Sequence, residues 1–279
     1  MTATAAGPAA PPVRPVPWRK LTWVSWRQHR LALGAAAALL AGVCLWMLIS
    51  GLQMRSALAS FGLNSCTPLT ASSCSTQKAV FINDYYFGTQ VVIGVLTVIP
   101  ALIGTLIGGP LVARELETGT FRLSWTQGCG RTRWLAARVL LVGGLVTAAA
   151  AGVSVVFSWY YQPMLRLGQG SPLAPQIFDL RGVSFAGWTL AAFAISVCAG
   201  ALIRRTIPAV VASMAAWSVL FVLAAFWLCS HHQAALTGVG LVSPASRFWH
   251  LQFIEGGWLL VLSILVGAAT IWLIRHRAT

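Results

Sequence analysis

Acidic residues are scarce in this chain: Asp and Glu together number five among 279 residues. Lysine is scarcer still. Lys20 and Lys78 stand alone, although Lys and Arg together reach 19 and leave a net charge of +14. Charged residues of both signs make up 9%, where a soluble domain carries roughly 25%. That deficit excludes an ordinary water-soluble globule and places the chain in the membrane class. The basic excess is not the footprint of a nucleic-acid binder, because no soluble domain is left to carry a basic face. The cations sit beside apolar runs, where anionic lipid and membrane orientation account for them.

Catalytic signatures are missing as well. A phosphate-binding loop needs a lysine followed by Ser or Thr after a glycine-framed turn. Lys20 sits in WRKLT and Lys78 in TQKAV, so neither fits. There is no H-E-x-x-H and no G-x-S-x-G. His231, His232, His250 and Glu255 share the segment 230–257, where a metal site or an enzyme centre is conceivable but no ligand spacing is set. The plainer reading is an interfacial stretch beside Trp249 and Trp258. The chain is therefore expected to be no enzyme and to bind no cofactor or metal itself.

What is abundant is apolar sequence, at 57% of residues. A spanning helix needs about 20 such residues. Six runs qualify, at 31–52, 88–112, 135–159, 183–203, 207–229 and 258–274. The fold class is an all-α polytopic membrane protein with six transmembrane helices. The Ala/Pro-rich residues 1–17 read as a disordered tail, and residues 31–279 as the membrane domain. The first run starts too late and is too long for a signal peptide.

Lys and Arg placement sets orientation. One side collects Arg14, Arg19, Lys20, Arg27 and Arg30, then Arg114, Arg122, Arg131, Arg133 and Arg138, then Arg204, Arg205, Arg275 and Arg277. The other has Arg55, Lys78, Arg166, Arg181 and Arg247. Both termini are thus expected in the cytoplasm. Cys66 and Cys74 share a polar outer loop and can meet as a disulfide in an oxidising space, with two free thiols as the alternative. Cys44, Cys198 and Cys229 read as apolar fillers. No Asp, Glu, Lys or Arg lies well inside the six runs as bounded above, which argues against a proton-driven carrier. Small residues recur at four-residue spacing: Gly104 and Gly108, then Gly144, Ala148 and Gly152, then Gly187 and Ala191. They let helices approach closely, within one subunit or between two.

Two elements are expected at the cytoplasmic face. WRKLTWVSWRQHR (18–30) gathers four cations within about a 100° arc at 3.6 residues per turn, with Trp23 inside it. It suits an interfacial helix, the alternative being a flank that only enforces topology. RELETGTFRLSWTQGCGRTRW then projects as a hairpin between spans two and three. RELET continues span two, with Arg114 and Glu117 at i,i+3, and Gly119 stops it. The positive-inside rule explains Arg114, Arg122, Arg131 and Arg133. It does not explain Glu115 and Glu117, which a docking surface for a soluble partner would.

LTWVSWRQHR, this hairpin with its SWTQ and RTRW, and SPASRFWHLQFIEGGW (243–258) come in that order. Together they resemble the membrane subunits of ABC transporters of the ABC-2 type (type V exporters), in their actinobacterial form. The resemblance covers nearly the whole chain. It implies a plasma-membrane permease, multi-pass and bacterial, that exports an amphipathic or hydrophobic molecule such as a drug, antibiotic, peptide or lipid. Two copies of a separate ATP-binding subunit would dock below, carrying ATP and Mg, and a second permease chain would complete a homodimer. Residues 18–30 would be the family's connecting helix and 113–134 its coupling helix, with Glu115, Glu117, Gly119 and Arg122 on the acidic-glycine part. Short re-entrant helices with Arg247 and Glu255, as a possible pair, would lie between spans five and six. The competing reading is a membrane scaffold or sensor that docks a non-ATPase partner through the same hairpin.

Overall fold

A computed structural model describes residues 18–63, 72–119, 131–170, 172–237 and 244–277. Among the described residues seven helices follow one another: α1 (Trp18–Ser60), α2 (Ser72–Thr118), α3 (Arg131–Arg166), α4 (Pro175–Phe178), α5 (Gly182–Ile203), α6 (Thr206–Thr237) and α7 (Pro244–Arg277). No strand occurs among the described residues. Six of the helices are long and apolar enough to cross a membrane. The helix is the solution lipid demands, because it satisfies every backbone polar group within the segment.

The helices outrun the apolar runs. α2 has 47 residues, about 70 Å at 1.5 Å per residue, against a bilayer core of about 30 Å. It therefore extends past the apolar layer and carries Arg114–Thr118 with it. Residues 18–30 are helical and run into the first span without a break. Segments 230–237 and 244–257 are the continuous ends of α6 and α7, and 238–243 lie outside the described residues. The apolar run 258–274 lies within α7, whose candidate spanning helix is described from Phe248 to His276.

α5 is the hub. It packs against α2, α3, α6 and α7, while α1 rests mainly on α3. Its 22 residues are mostly small or aromatic, and two-thirds of its spanning window is buried. The small residues let neighbours come to backbone contact. A Cβ built on Gly104 of α2 would lie 2.5 Å from the Ala192 Cβ and 2.8 Å from the Phe193 backbone nitrogen. On Gly108 it would meet the Phe193 carbonyl at 2.7 Å, and on Gly200 of α5 the Gly109 carbonyl at 2.7 Å. For α2 and α5, then, the four-residue spacing is internal packing. Gly187 likewise receives Leu259 of α7. The α3 stripe is different. Gly144, Ala148 and Gly152 are exposed, and a Cβ on either glycine would meet nothing within 4 Å.

Close packing brings hydroxyls into hydrogen-bond range. Ser196 donates to the Thr105 carbonyl at 2.9 Å, and Ser213 donates to Ser196 at 3.2 Å, joining α2, α5 and α6. Each such bond leaves fewer buried polar atoms unpaired. α1 is held to α3 by Arg55, which donates to the Trp159 carbonyl at 2.6 Å and lies 3.7 Å above the Trp159 ring. Outward faces carry large apolar side chains, including Leu52, Val211, Phe226 and Leu265, as expected of surfaces that meet acyl chains.

Candidate functional site

Two places concentrate the polar chemistry of the chain. The first is the Arg-rich end, where α2 finishes. Thr118 is its last residue, and Gly119 follows with φ +71, the left-handed turn that stops a helix and favours glycine. Glu115 and Glu117 leave this last turn in different directions. Glu115 forms an ion pair with Arg138, about two turns inside α3, whose side chain is 5% exposed. Glu117 accepts from the backbone N–H of Thr206 at 3.0 Å and from its hydroxyl at 2.9 Å. Thr206 is the first residue of α6, so Glu117 caps that helix from outside, putting a carboxylate where the helix dipole is positive.

Both glutamates therefore have partners within the chain, which the sequence reading had reserved for a docking protein. They tie the end of α2 to the starts of α3 and α6. Arg114 is exposed on α2 and Arg133 half-buried on α3. Arg122 and the rest of 120–130 lie outside the described residues, as does the side chain of Arg131.

The second place is the opposite end, around the start of α5. Gly182 opens the helix at φ +62, and a Cβ there would sit 2.7 Å from Gln252 Oε1. Gln252 is fully buried. Its Oε1 accepts from the Val183 and Ser184 N–H groups at 2.9 and 3.0 Å and from the Ser184 hydroxyl at 2.9 Å. Its Nε2 donates to the Phe178 carbonyl at 2.8 Å. One amide thus caps α5 from α7 and binds α4 as well. Ser154 of α3 adds a bond to the Gly182 carbonyl at 2.9 Å.

One turn deeper, Glu255 accepts from Trp188 Nε1 at 2.8 Å. Asp179, just after α4, lies beside Glu255. Two buried carboxyls in contact cannot both ionise cheaply. Burial first, and then the Glu255 carboxyl beside it, push Asp179 up to about 9. Trp188 also anchors an aromatic cluster, with Phe221, Trp258 and Trp217 at 5.1, 5.6 and 6.0 Å between ring centroids. Beside it lies a cavity of about 450 Å³ between α2, α4, α5 and α6.

Of the other expected residues, Cys74 is disulfide-bonded, while Cys66 lies outside the described residues. Cys44 and Cys198 are free thiols. Arg247 belongs to α7, but its side chain is outside the described set, as are those of His231 and His232. His250 is exposed, and among the described residues no three His, Cys, Asp or Glu side chains could hold a metal. Asp179 and Gln252 were missed from sequence. The usable signal was scarcity, since Asp179 is one of five acids in a chain with few polar positions.

The described residues form a six-span bundle whose second helix is longer than a bilayer core and is clamped at its polar end. Residues 37–229 match a known family, described as ABC-2 membrane transporter related. The chain belongs to that family. No curated protein and no solved structure matches it. An ABC-2 permease is the membrane component of an ABC transporter and works with an ABC ATP-binding partner. The match covers spans one to five and both glutamates of the α2 end. As an ABC-2 permease the chain is a multi-pass membrane protein, of a family of transporter membrane components that are generally without an ATPase site of their own.

Proposed function

We propose that the chain is the path-forming subunit of an ATP-driven exporter in a bacterial plasma membrane, moving amphipathic or hydrophobic molecules. Two permease chains would stand over two ATP-binding subunits that carry ATP and Mg. The observation that carries the reading is the clamp at the Arg-rich end. The positive-inside rule assigns that end to the cytoplasm. There the 113–134 hairpin meets the partner through Arg114 and the residues beyond Gly119. Glu115 and Glu117 then pass its movement to α3 and α6 rather than contacting the partner themselves. The cavity beside Trp188 suits an apolar cargo, since it is lined mainly by aromatic and aliphatic side chains. The open Gly144–Ala148–Gly152 stripe gives a second permease chain a face for close approach. Residues 18–30, with Arg27 lying 5.5 Å from the centroid of the exposed Trp23 ring, suit the inner interface as a connecting helix.

The test is coexpression with an ABC ATP-binding subunit. The expected result is a copurifying complex whose inside-out vesicles take up a hydrophobic dye only with ATP. A chain that binds no such ATPase, yet captures a non-ATPase protein through the hairpin, would be the scaffold or sensor instead.

A further inference from the structure

Among the described residues, the cavity beside the start of α5 carries one ionisable side chain on its wall, Asp179. The rest of the wall includes Phe185, Trp188, Trp217 and Phe221, with Gln90 and Thr97 of α2 as polar points. Its volume of about 450 Å³ lies within the usual range for small-molecule sites, roughly 300–1,000 Å³. Two oxygens of the carboxyl pair behind this wall are buried without a hydrogen-bond partner, Asp179 Oδ1 and Glu255 Oε2. Glu255 is 5% exposed. A fold that needed these acids only for packing would have satisfied those oxygens or replaced them. Aromatic faces attract cations through their quadrupole, and most strongly where water is excluded.

We propose that this cavity binds a lipophilic organic cation, with Asp179 as its counter-charge and the four aromatic rings as its walls. In the empty site the Asp179 carboxyl keeps its proton beside Glu255. When the cation enters, the Asp179 O–H bond breaks, the proton leaves to water and the carboxylate pairs with the cation. Charge in the site is conserved, and one proton is released per cation bound. The other titratable groups near the pair do not take over this role. Arg181, at the start of α5, lies 5.1 Å from the Phe248 ring centroid and interacts with Tyr161 of α3. His250 of α7 is exposed. Among the described residues, the cavity walls from α2 and α6 carry no charged residue.

The inference deepens the exporter reading by naming a substrate class, and it rests on that reading only for the use made of the site. Binding is therefore measured without the ATPase. The full chain in phosphatidylcholine nanodiscs is titrated with labelled tetraphenylphosphonium, using uncharged triphenylphosphine oxide as the comparison and empty nanodiscs as the blank. The expected result is saturable cation binding that tightens about tenfold per pH unit from pH 6 to 8, as one-for-one proton exchange requires. The uncharged compound should bind more weakly and without a pH slope. Asp179→Asn should weaken cation binding at least tenfold and abolish the slope. Glu255→Gln, which leaves Asp179 in place, should retain saturable binding. Equal, pH-independent binding of both compounds to the unaltered chain would overturn the proposal and leave an apolar slot. A slope that survives in Asp179→Asn would overturn it too. If Asp179→Asn does not fold, the comparison on the unaltered chain decides. Cation binding without ATP-driven export would sink the exporter reading alone.

Discussion

Glu115→Ala removes the carboxylate that faces Arg138 and leaves the arginine where it is. The size of the effect follows from burial. The Arg138 side chain is 5% exposed and the Glu115 side chain 18%, so neither charge is screened as a surface pair would be. Removing one partner of a buried pair costs about 3–5 kcal/mol, because the other charge stays behind. Glu115 retains some access to water, which puts the expected loss near the lower end, at about 3 kcal/mol. That is roughly a hundredfold in the folded-to-unfolded ratio, at about 1.4 kcal/mol per tenfold. The assay is equilibrium unfolding of the purified chain in mixed micelles, read by tryptophan fluorescence. The double variant Glu115→Leu with Arg138→Met removes both charges and should regain most of the loss, giving a coupling of about 2 kcal/mol. A Glu115→Ala chain within about 0.5 kcal/mol of the unaltered one, or a double variant no better than the single, would refute the reasoning.

Gly104→Ala forces a methyl into the Ala192–Phe193 backbone and should cost about 1–3 kcal/mol as overpacking. Gly144→Ala meets open space and should leave the stability of the single chain unchanged in the same unfolding assay. Asp179, held protonated up to about 9 when folded against 3.8 ordinarily, binds more protons in the native state than in the unfolded one. Stability should therefore fall as pH rises across that window. Asp179→Asn should flatten the fall, which a thermal melt series against pH measures. Gln252→Ala leaves the Val183 and Ser184 N–H groups without their acceptor and should cost about 1–3 kcal/mol, more than Gln252→Glu at low pH.

Much of the fold was legible because the membrane writes a simple code. Long apolar runs have one dominant cause, and small residues at four-residue spacing marked close packing for α2 and α5, though not for α3, where they face outward. Gly119 was readable as a stop for the same reason. The helix ends were less legible. α7 starts at Pro244, ahead of the apolar run that opens at Trp258, and Gln252 in that lead fixes α7 to α5. The partners of Glu115 and Glu117 could not be read from the chain at all. Arg138 lies 23 residues from Glu115 and Thr206 lies 89 from Glu117, and only the packing of α2 against its neighbours brings them together. Asp179 was hidden by an ordinary loop sequence, QIFDLRG, in which a solvated carboxylate near an arginine is the common outcome.

The central claim is that the end of α2 transmits ATPase movement into the bundle through its glutamates. Glu117→Lys tests it most directly, because it places a positive charge at the positive end of α6 without touching the hairpin beyond Gly119. The measurement is the ratio of transported dye to ATP hydrolysed by the reconstituted complex. The account predicts normal insertion and assembly, continued ATP hydrolysis and a ratio reduced at least tenfold. An unchanged ratio, or a variant that no longer binds the ATP-binding subunit, would contradict it.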